Sequence, residues 1–310
     1  MISMQVINSN GGAMELACME SSGIEIAGVM EPSLQNVETA RANFPSLDIR
    51  HCYIGTELAA DLPQTDVIYV NVAKREYTAK ESAVPVIDRN IAGPESNGSL
   101  VMKNAFRLVA LKEPEMFVVE SGLRLHTAAT EAFAAIPGYY IRQLVIKDAR
   151  ACGYPMKKQK SFIVGTKCDF NIAWNRAPVQ ALVPLLEKDV EYRELPAYAR
   201  NRMYGLTKSR PSVIIDPAVD NVVPNITGQY AKDDSVILLK DGARIRPFTN
   251  LEIARFYGFP DDYIWTGSKR SVTRQITDSI GAGFARFLVR DVIKQYFEKG
   301  YRSCSRSGMA

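Results

Sequence analysis

The chain has 310 residues, 46% of them hydrophobic and 23% charged, which suits one large domain or a domain with a small insert. No apolar run reaches the roughly eighteen residues of a membrane span, and the first residues lack a basic and then apolar leader, so the composition predicts a soluble, cytoplasmic protein with no membrane partner. A formal net charge of +4 permits an anionic partner without demonstrating one.

Met4–Ile7 reads as a strand, followed by the turn Asn8-Ser9-Asn10-Gly11-Gly12 and a helix over Ala13–Ser21. Ile24–Val29 is a second strand that leads to Glu31, and Ser33 is placed to cap a helix over Ser33–Asn43. Asp66–Val70 is a continuous apolar strand of the kind buried on both faces. Residues 74–99 carry Pro85, Gly93, Pro94 and Gly98 without periodicity and read as a long loop. Leu100–Lys112 is an apolar-periodic helix, Met116–Val119 a strand ending at Glu120, and Ala128–Ala135 a helix stopped by Pro137-Gly138. Tyr140–Ile146 and Ser161–Gly165 are strands separated by a basic, turn-rich stretch. From about Lys167 to Ala243 the pattern weakens, and it returns with a helix over Thr249–Tyr257 and a long C-terminal helix over Ile276–Phe297. This alternation predicts a doubly wound, mainly parallel α/β sheet of the Rossmann-like type.

Five dispersed cysteines, Cys18, Cys52, Cys152, Cys168 and Cys304, argue against a disulfide framework, and with only His51 and His126 beside them no metal site is expected. The glycines at Gly11 and Gly12 let backbone approach a ligand, and Glu31, at the end of the next strand, is placed to accept from the hydroxyls of a nucleotide-like cofactor. Phe117–Gly122 delivers the carboxylate of Glu120 at a sheet edge where ligands of such folds bind. Lys158 and Lys160 alternate on the entry to a strand and point to one face. Each of these features also has a bland reading as a turn, a strand end or a solvated basic loop.

The run Arg246-Pro247-Phe248-Thr249-Asn250-Leu251-Glu252-Ile253-Ala254-Arg255-Phe256-Tyr257-Gly258-Phe259-Pro260-Asp261-Asp262, followed by Arg274-Gln275-Ile276, is far more particular. It resembles the "T-x-x-E-x-A-R-L-Q-G-F-P-D-D" and "R-Q-I-G-N-A-V" blocks of the DNA cytosine-C5 methyltransferase family. Phe117–Gly122 is similar to that family's "F-V-x-E-N-V" block, Lys147–Gly165 to its "Q-x-R-x-R-x-F-I-V-G" block, and Glu25–Pro45 to its first acidic strand and helix. The blocks stand in family order.

The resemblance implies S-adenosylmethionine as methyl donor, DNA as partner, and a cysteine thiolate that adds to cytosine C6 while a glutamate assists at N3 and a flipped base is held by an arginine pair. Carried onto this sequence, Glu120 is the glutamate, Lys160 and Lys158 replace the arginines, and Lys74 stands where the cysteine belongs. No cysteine lies between Cys52 and Cys152, so the family's covalent route lacks its nucleophile. Ile7 replaces the phenylalanine of the cofactor turn, Gly11, Gly12 and Glu31 are kept, Tyr53 replaces an aspartate, and Thr277-Asp278-Ser279 replaces Gly-Asn-Ala, with Asp278 as the last cofactor candidate.

The resemblance further divides the chain into a catalytic-type domain over 1–167, a small target-recognition-like region over 168–242, a return of the catalytic domain over 243–300 and a tail over 301–310. In the target-recognition-like region Arg200, Arg202, Lys208 and Arg210 interleave with tyrosines, a pattern suited to phosphate contact and stacking. Two functions follow: a degenerate homologue that associates with DNA or with a partner methyltransferase subunit without catalysis, or an active base-modifying transferase in which Lys74 or Lys160 has a new role. A nicotinamide oxidoreductase on a similar sheet fits neither the glycine pattern nor the Gly258–Asp262 block.

Overall fold

The computed structural model describes residues 1–54, 61–72, 96–121, 126–174, 176–191 and 193–300. The chain folds as two compact units, one of Met1–Ile146, Lys160–Asn175 and Ala285–Ala310, the other of Lys147–Gln159 and Arg176–Phe284.

Seven strands build the first unit: β1 (Ile2–Ile7), β2 (Ile24–Glu31), β3 (Ile49–His51), β4 (Val67–Asn71), β5 (Met116–Ser121), β6 (Tyr140–Ile146) and β7 (Lys160–Thr166). They lie in the order β3-β2-β1-β4-β5-β7-β6. The first five are parallel, and β7 runs antiparallel between β5 and β6. The strand order therefore reverses beside β1 and β4, the place where open α/β sheets build sites at their carboxyl ends. β4 is buried at every position, as a central parallel strand with helices on both faces requires.

Helices α1 (Ala13–Met19), α2 (Leu34–Asn43), α3 (Ser96–Lys112) and α4 (His126–Ala134) connect these strands. Ser33 caps α2 by accepting from the Asn36 amide, as its position in sequence suggests. One core gathers Ile7, Ile68, Val70, Val109, Phe117, Phe133 and Ile163. The Phe117 and Phe133 rings lie 5.1 Å apart, and burying each such side chain stabilises the fold by about 1.5–3 kcal/mol. Phe117 also explains Gly165 on β7, because a Cβ there would meet the ring at 2.1 Å. Cys168 is disulfide-bonded, which corrects at that position the expectation drawn from dispersed cysteines.

The second unit is more ordered than its weak periodicity suggests. It holds α5 (Ala197–Met203) and a sheet of β8 (Val213–Ile215), β9 (Ile237–Asp241) and β10 (Arg244–Pro247) in the order β10-β9-β8. These strands are too short to show a period of two against their prolines. Helix α6 (Asn250–Phe256) opens with a full capping box, Thr249 accepting from the Glu252 amide and Glu252 from the Thr249 amide. Next comes α7 (Lys269–Asp278), with Ser268 as its cap.

The expected long helix over Ile276–Phe297 is broken. After α7 the chain turns extended at Ser279 (ψ 161°) and Gly281 takes φ 88°, a conformation that suits glycine. Helix restarts as α8 (Ala282–Phe287) and continues with wider π-type turns over Leu288–Lys294 and Tyr296–Gly300. Within the first unit this last stretch is anchored by Arg286 on Glu20 at 2.6 Å and by Tyr296 edge-on to Phe170. Among the described residues no helix is long and apolar enough to cross a membrane, and no group of His, Cys, Asp and Glu is arranged to hold a metal ion.

Candidate functional site

Glu120 sits near the carboxyl end of β5, flanked by β4 and β7. Register places it beside Asn71 on one side and Phe162 on the other. Its diagonal neighbours on the same face are therefore Tyr69 and Lys160. Lys160 Nζ donates to Glu120 Oε1 in a close ion pair, and Tyr69 Oη donates to Oε2 at 3.0 Å. Both carboxylate oxygens are thus taken by the chain itself, in a site where Glu120 is buried. The Val72 amide donates to the Glu120 carbonyl at 2.9 Å, so the chain leaves β4 alongside this carboxylate. Lys74 follows two residues later, outside the described residues.

Lys158 takes a different place from Lys160. It belongs to the second unit, where Nζ donates to Tyr257 Oη at 2.7 Å and to the Thr277 carbonyl at 3.1 Å. Tyr257 Oη in turn donates to the Ile226 carbonyl at 2.5 Å, and burial pushes the Tyr257 hydroxyl well above its ordinary pKa. Lys158 thereby ties the segment after the single 3-10 turn Ala149–Cys152 to α6 and α7, and it is buried while doing so. The same segment places Tyr154 against Gly258 and Gly283, where an added Cβ would meet its ring at 2.6 Å and 2.1 Å. The Gly258-Phe259-Pro260-Asp261-Asp262 block is accordingly a packing device, closed further by Arg255 on Asp261 at 2.7 Å and 2.6 Å.

The turn after β1 adopts left-handed backbone at Asn8 (φ 57°), Asn10 (φ 54°), Gly11 (φ 89°) and Gly12 (φ 78°). The Asn10 amide donates to Glu31 Oε2 at 3.0 Å, while the Ser33 amide and the Asn36 side chain reach Oε1 at 3.1 Å and 3.0 Å. Three internal donors occupy a carboxylate that offers about four acceptor sites. Ser9 Oγ donates to Glu15 Oε1 at 2.7 Å and accepts from the Gly12 amide at 3.2 Å. Burial pushes Glu15 up to about 7, with the Glu31 charge adding to the effect. Burial likewise raises Glu31 to about 7 against the pull of its three donors.

S-adenosylmethionine, the methyl donor that C-5 cytosine methyltransferases use in general, would here meet a Glu31 carboxylate already held by three internal donors. Asn8, Ser9, Asn10 and Glu31 are each no more than 1% exposed, so the turn presents almost no surface. Polar atoms point into this closed cluster without a hydrogen-bond partner: Asn8 Oδ1, Asn10 Nδ2, Glu15 Oε2 and Asn71 Nδ2. Ile7, Gly11 and Gly12 are buried with it, and Ile7 belongs to the sheet core. Asp278, the remaining cofactor candidate, ends α7 in the second unit.

Among the basic residues of the second unit, Arg200 pairs with Glu194 and Arg202 with Asp233. Lys208 and Arg210 are exposed. Sequence reasoning missed several residues that organise these sites. Tyr69 is visible as a lone hydroxyl inside a buried apolar strand, and Glu15 as a carboxylate in the apolar first turn of α1. Arg246 and Glu252 form a buried two-pronged pair at 2.9 Å and 2.7 Å, with Arg246 Nε also on Asp241 at 2.8 Å. Their spacing of six residues gave no signal, since one lies on β10 and the other on α6.

The C-5 cytosine-specific DNA methylase family matches this chain over residues 198–294, the stretch that carries the Thr249–Asp262 block. Among curated proteins, the type II methyltransferase M.HgiDI of Herpetosiphon aurantiacus is 23% identical over 298 residues, covering 89% of each chain. M.BsuFI of Bacillus subtilis is 25% identical over 247 residues, covering 71% of this chain and 56% of its own length. The fold is similar to a DNMT2 variant of Spodoptera frugiperda, with a TM-score of 0.74 at 14% identity, covering 94% of this chain and all of that one. It is similar also to the methyltransferase EhMeth of Entamoeba histolytica, with a TM-score of 0.73 at 13% identity over 95% of this chain and 98% of that one. The match over residues 198–294, the relatives and the mainly parallel sheet make this chain similar to the C-5 cytosine-specific DNA methylases.

Proposed function

We propose that this chain is a DNA-associated member of the family that has lost cysteine-based methyl transfer. The observation that carries the reading is the state of Glu120. The family's glutamate assists at cytosine N3, whereas here its two oxygens are taken by Lys160 and Tyr69. A flipped cytosine competing for that carboxylate has to break a buried ion pair, and the replacement of arginine by lysine removes the planar fork that holds a base. The sequence supplies no cysteine between Cys52 and Cys152 to attack C6. The closed turn around Asn8–Glu31 argues against a bound methyl donor on independent grounds. In this reading the 168–242 region is the DNA-facing part, and the biological effect is occupancy of DNA or regulation of a partner methyltransferase subunit.

The reading is tested by titrating labelled DNA with the purified full chain, with and without S-adenosylmethionine. Binding that is indifferent to the cofactor is expected. Absence of DNA binding, or binding that requires the cofactor, contradicts it.

A further inference from the structure

Helix α5 ends in a closure with two reversed hydrogen bonds. The Gly205 amide donates to the Arg202 carbonyl at 3.0 Å and the Leu206 amide to the Asn201 carbonyl at 2.7 Å, with Gly205 at φ 70°. In such a closure the residue after the glycine ordinarily packs against the residue whose carbonyl it takes, apolar on apolar. Here that residue is Asn201, which is polar and exposed. Leu206 is consequently 73% exposed, and Tyr204, one residue before the glycine, is 70% exposed. Two large apolar side chains at the tip of one turn stand in solvent where the local motif offers at least one of them a place to pack.

The charges around the tip are arranged to match. Arg200 and Arg202, on the helix, are neutralised by Glu194 and Asp233. Lys208 and Arg210, beyond the turn, are exposed and make no ion pair with a described residue. The surface therefore offers one aromatic face and one aliphatic side chain, followed within a few residues by two cations.

We propose that the tip Tyr204–Arg210 is a contact surface for a DNA strand with unpaired bases, Tyr204 stacking on a base while Lys208 and Arg210 take neighbouring phosphates. The inference rests on the DNA-associated reading above and adds the form of DNA. In a duplex the base faces are hidden by stacking, so an aromatic tip finds its partner only where bases are unpaired or displaced. With two cations, the salt response is shallow. About 0.7 counterion is released per phosphate on a single strand, so the slope of log affinity against log salt is roughly −1.4. Affinity should then fall only about sevenfold between about 50 and about 200 mM salt.

The test is fluorescence anisotropy of the full chain with a labelled single strand and with the duplex of the same sequence, across that salt range. The single strand is expected to bind more tightly. Tyr204→Ala should weaken it by about tenfold or more without changing the salt slope, a loss in the range of base–aromatic stacking. Lys208→Ala should lower the slope by roughly 0.7. Both positions are exposed, and circular dichroism checks that the variants fold. Duplex binding that is at least as tight and indifferent to Tyr204→Ala overturns this inference while leaving DNA association standing. Binding to neither form overturns both. Self-association in sedimentation that is abolished by Tyr204→Ala, with no effect on DNA, makes the tip an interface between copies and also overturns it.

Discussion

Lys160 and Glu120 form an ion pair between the antiparallel neighbours β7 and β5, two positions off direct register, with Tyr69 completing the contact from the opposite side on β4. The Glu120 carboxylate is thus held by its own sheet on both flanks. Removing the lysine strands a buried carboxylate with one neutral donor. Lys160→Met should cost roughly 2–4 kcal/mol of stability, somewhat below a fully buried pair because the side chains keep partial exposure. The double variant Lys160→Met with Glu120→Gln should recover a large part of that loss. Urea denaturation midpoints of the single and double variants measure it, and additive losses would contradict the pairing.

Arg246 and Glu252 make the corresponding prediction for the second unit. Glu252 is fully buried and its oxygens accept from Arg246, from the Thr249 amide at 2.9 Å and from the Glu187 amide at 3.0 Å. Desolvation alone would lower the Arg246 pKa, but its bonds to Glu252 and Asp241 outweigh it and raise the pKa above the usual value. Arg246→Met should destabilise by about 3–5 kcal/mol. Arg246→Lys should be only partly protective, because an ammonium cannot reproduce the fork that reaches Glu252 and Asp241 together. Thermal melts of the two variants compare them directly.

Stability should depend on pH through the cluster behind β1 and β2. Glu15 and Glu31 both titrate near about 7 when folded, raised by burial from an ordinary value of 4.5. The folded state therefore holds these protons more tightly than the unfolded chain does. Their contribution is fully present below about pH 4.5 and is lost as pH rises through about 7, on the order of 3 kcal/mol for each group. Glu15→Gln keeps the shape and removes one titration. Its urea midpoint should vary less between pH 5 and pH 7.5 than that of the unaltered chain, and an unchanged variation would contradict the assignment.

The closed cofactor turn predicts an absence of binding that calorimetry can read. Titration of the chain with S-adenosylmethionine should give no saturable heat, because Asn8, Ser9, Asn10 and Glu31 present no surface to it. Saturable binding with micromolar affinity would show that the turn opens for the ligand.

Much of the sheet was legible because buried parallel strands are short apolar runs ended by turn residues, as in Asp66–Val70 and Phe117–Glu120. The caps at Ser33 and Thr249 were legible for a similar local reason. The break at Ser279–Gly281 was not, since the apolar pattern runs through it, while the extended backbone at Ser279 and the left-handed backbone at Gly281 stop the helix. The separation of Lys158 from Lys160 was hidden too. Alternation puts them on one face of an extended segment, but β7 begins at Lys160, and Lys158 is drawn instead to Tyr257 and Thr277. Pairing of Glu120 with Tyr69 depends on which strands become neighbours, which no local pattern encodes.

The most direct measurement is methyl transfer itself. Purified chain is incubated with cytosine-containing duplex DNA and S-adenosylmethionine, and the DNA is digested and assayed for 5-methylcytosine by mass spectrometry. With no cysteine between Cys52 and Cys152 and with Glu120 engaged by Lys160 and Tyr69, no 5-methylcytosine above that of untreated DNA is expected. Its accumulation in proportion to the protein added, abolished by Glu120→Gln, would contradict the account.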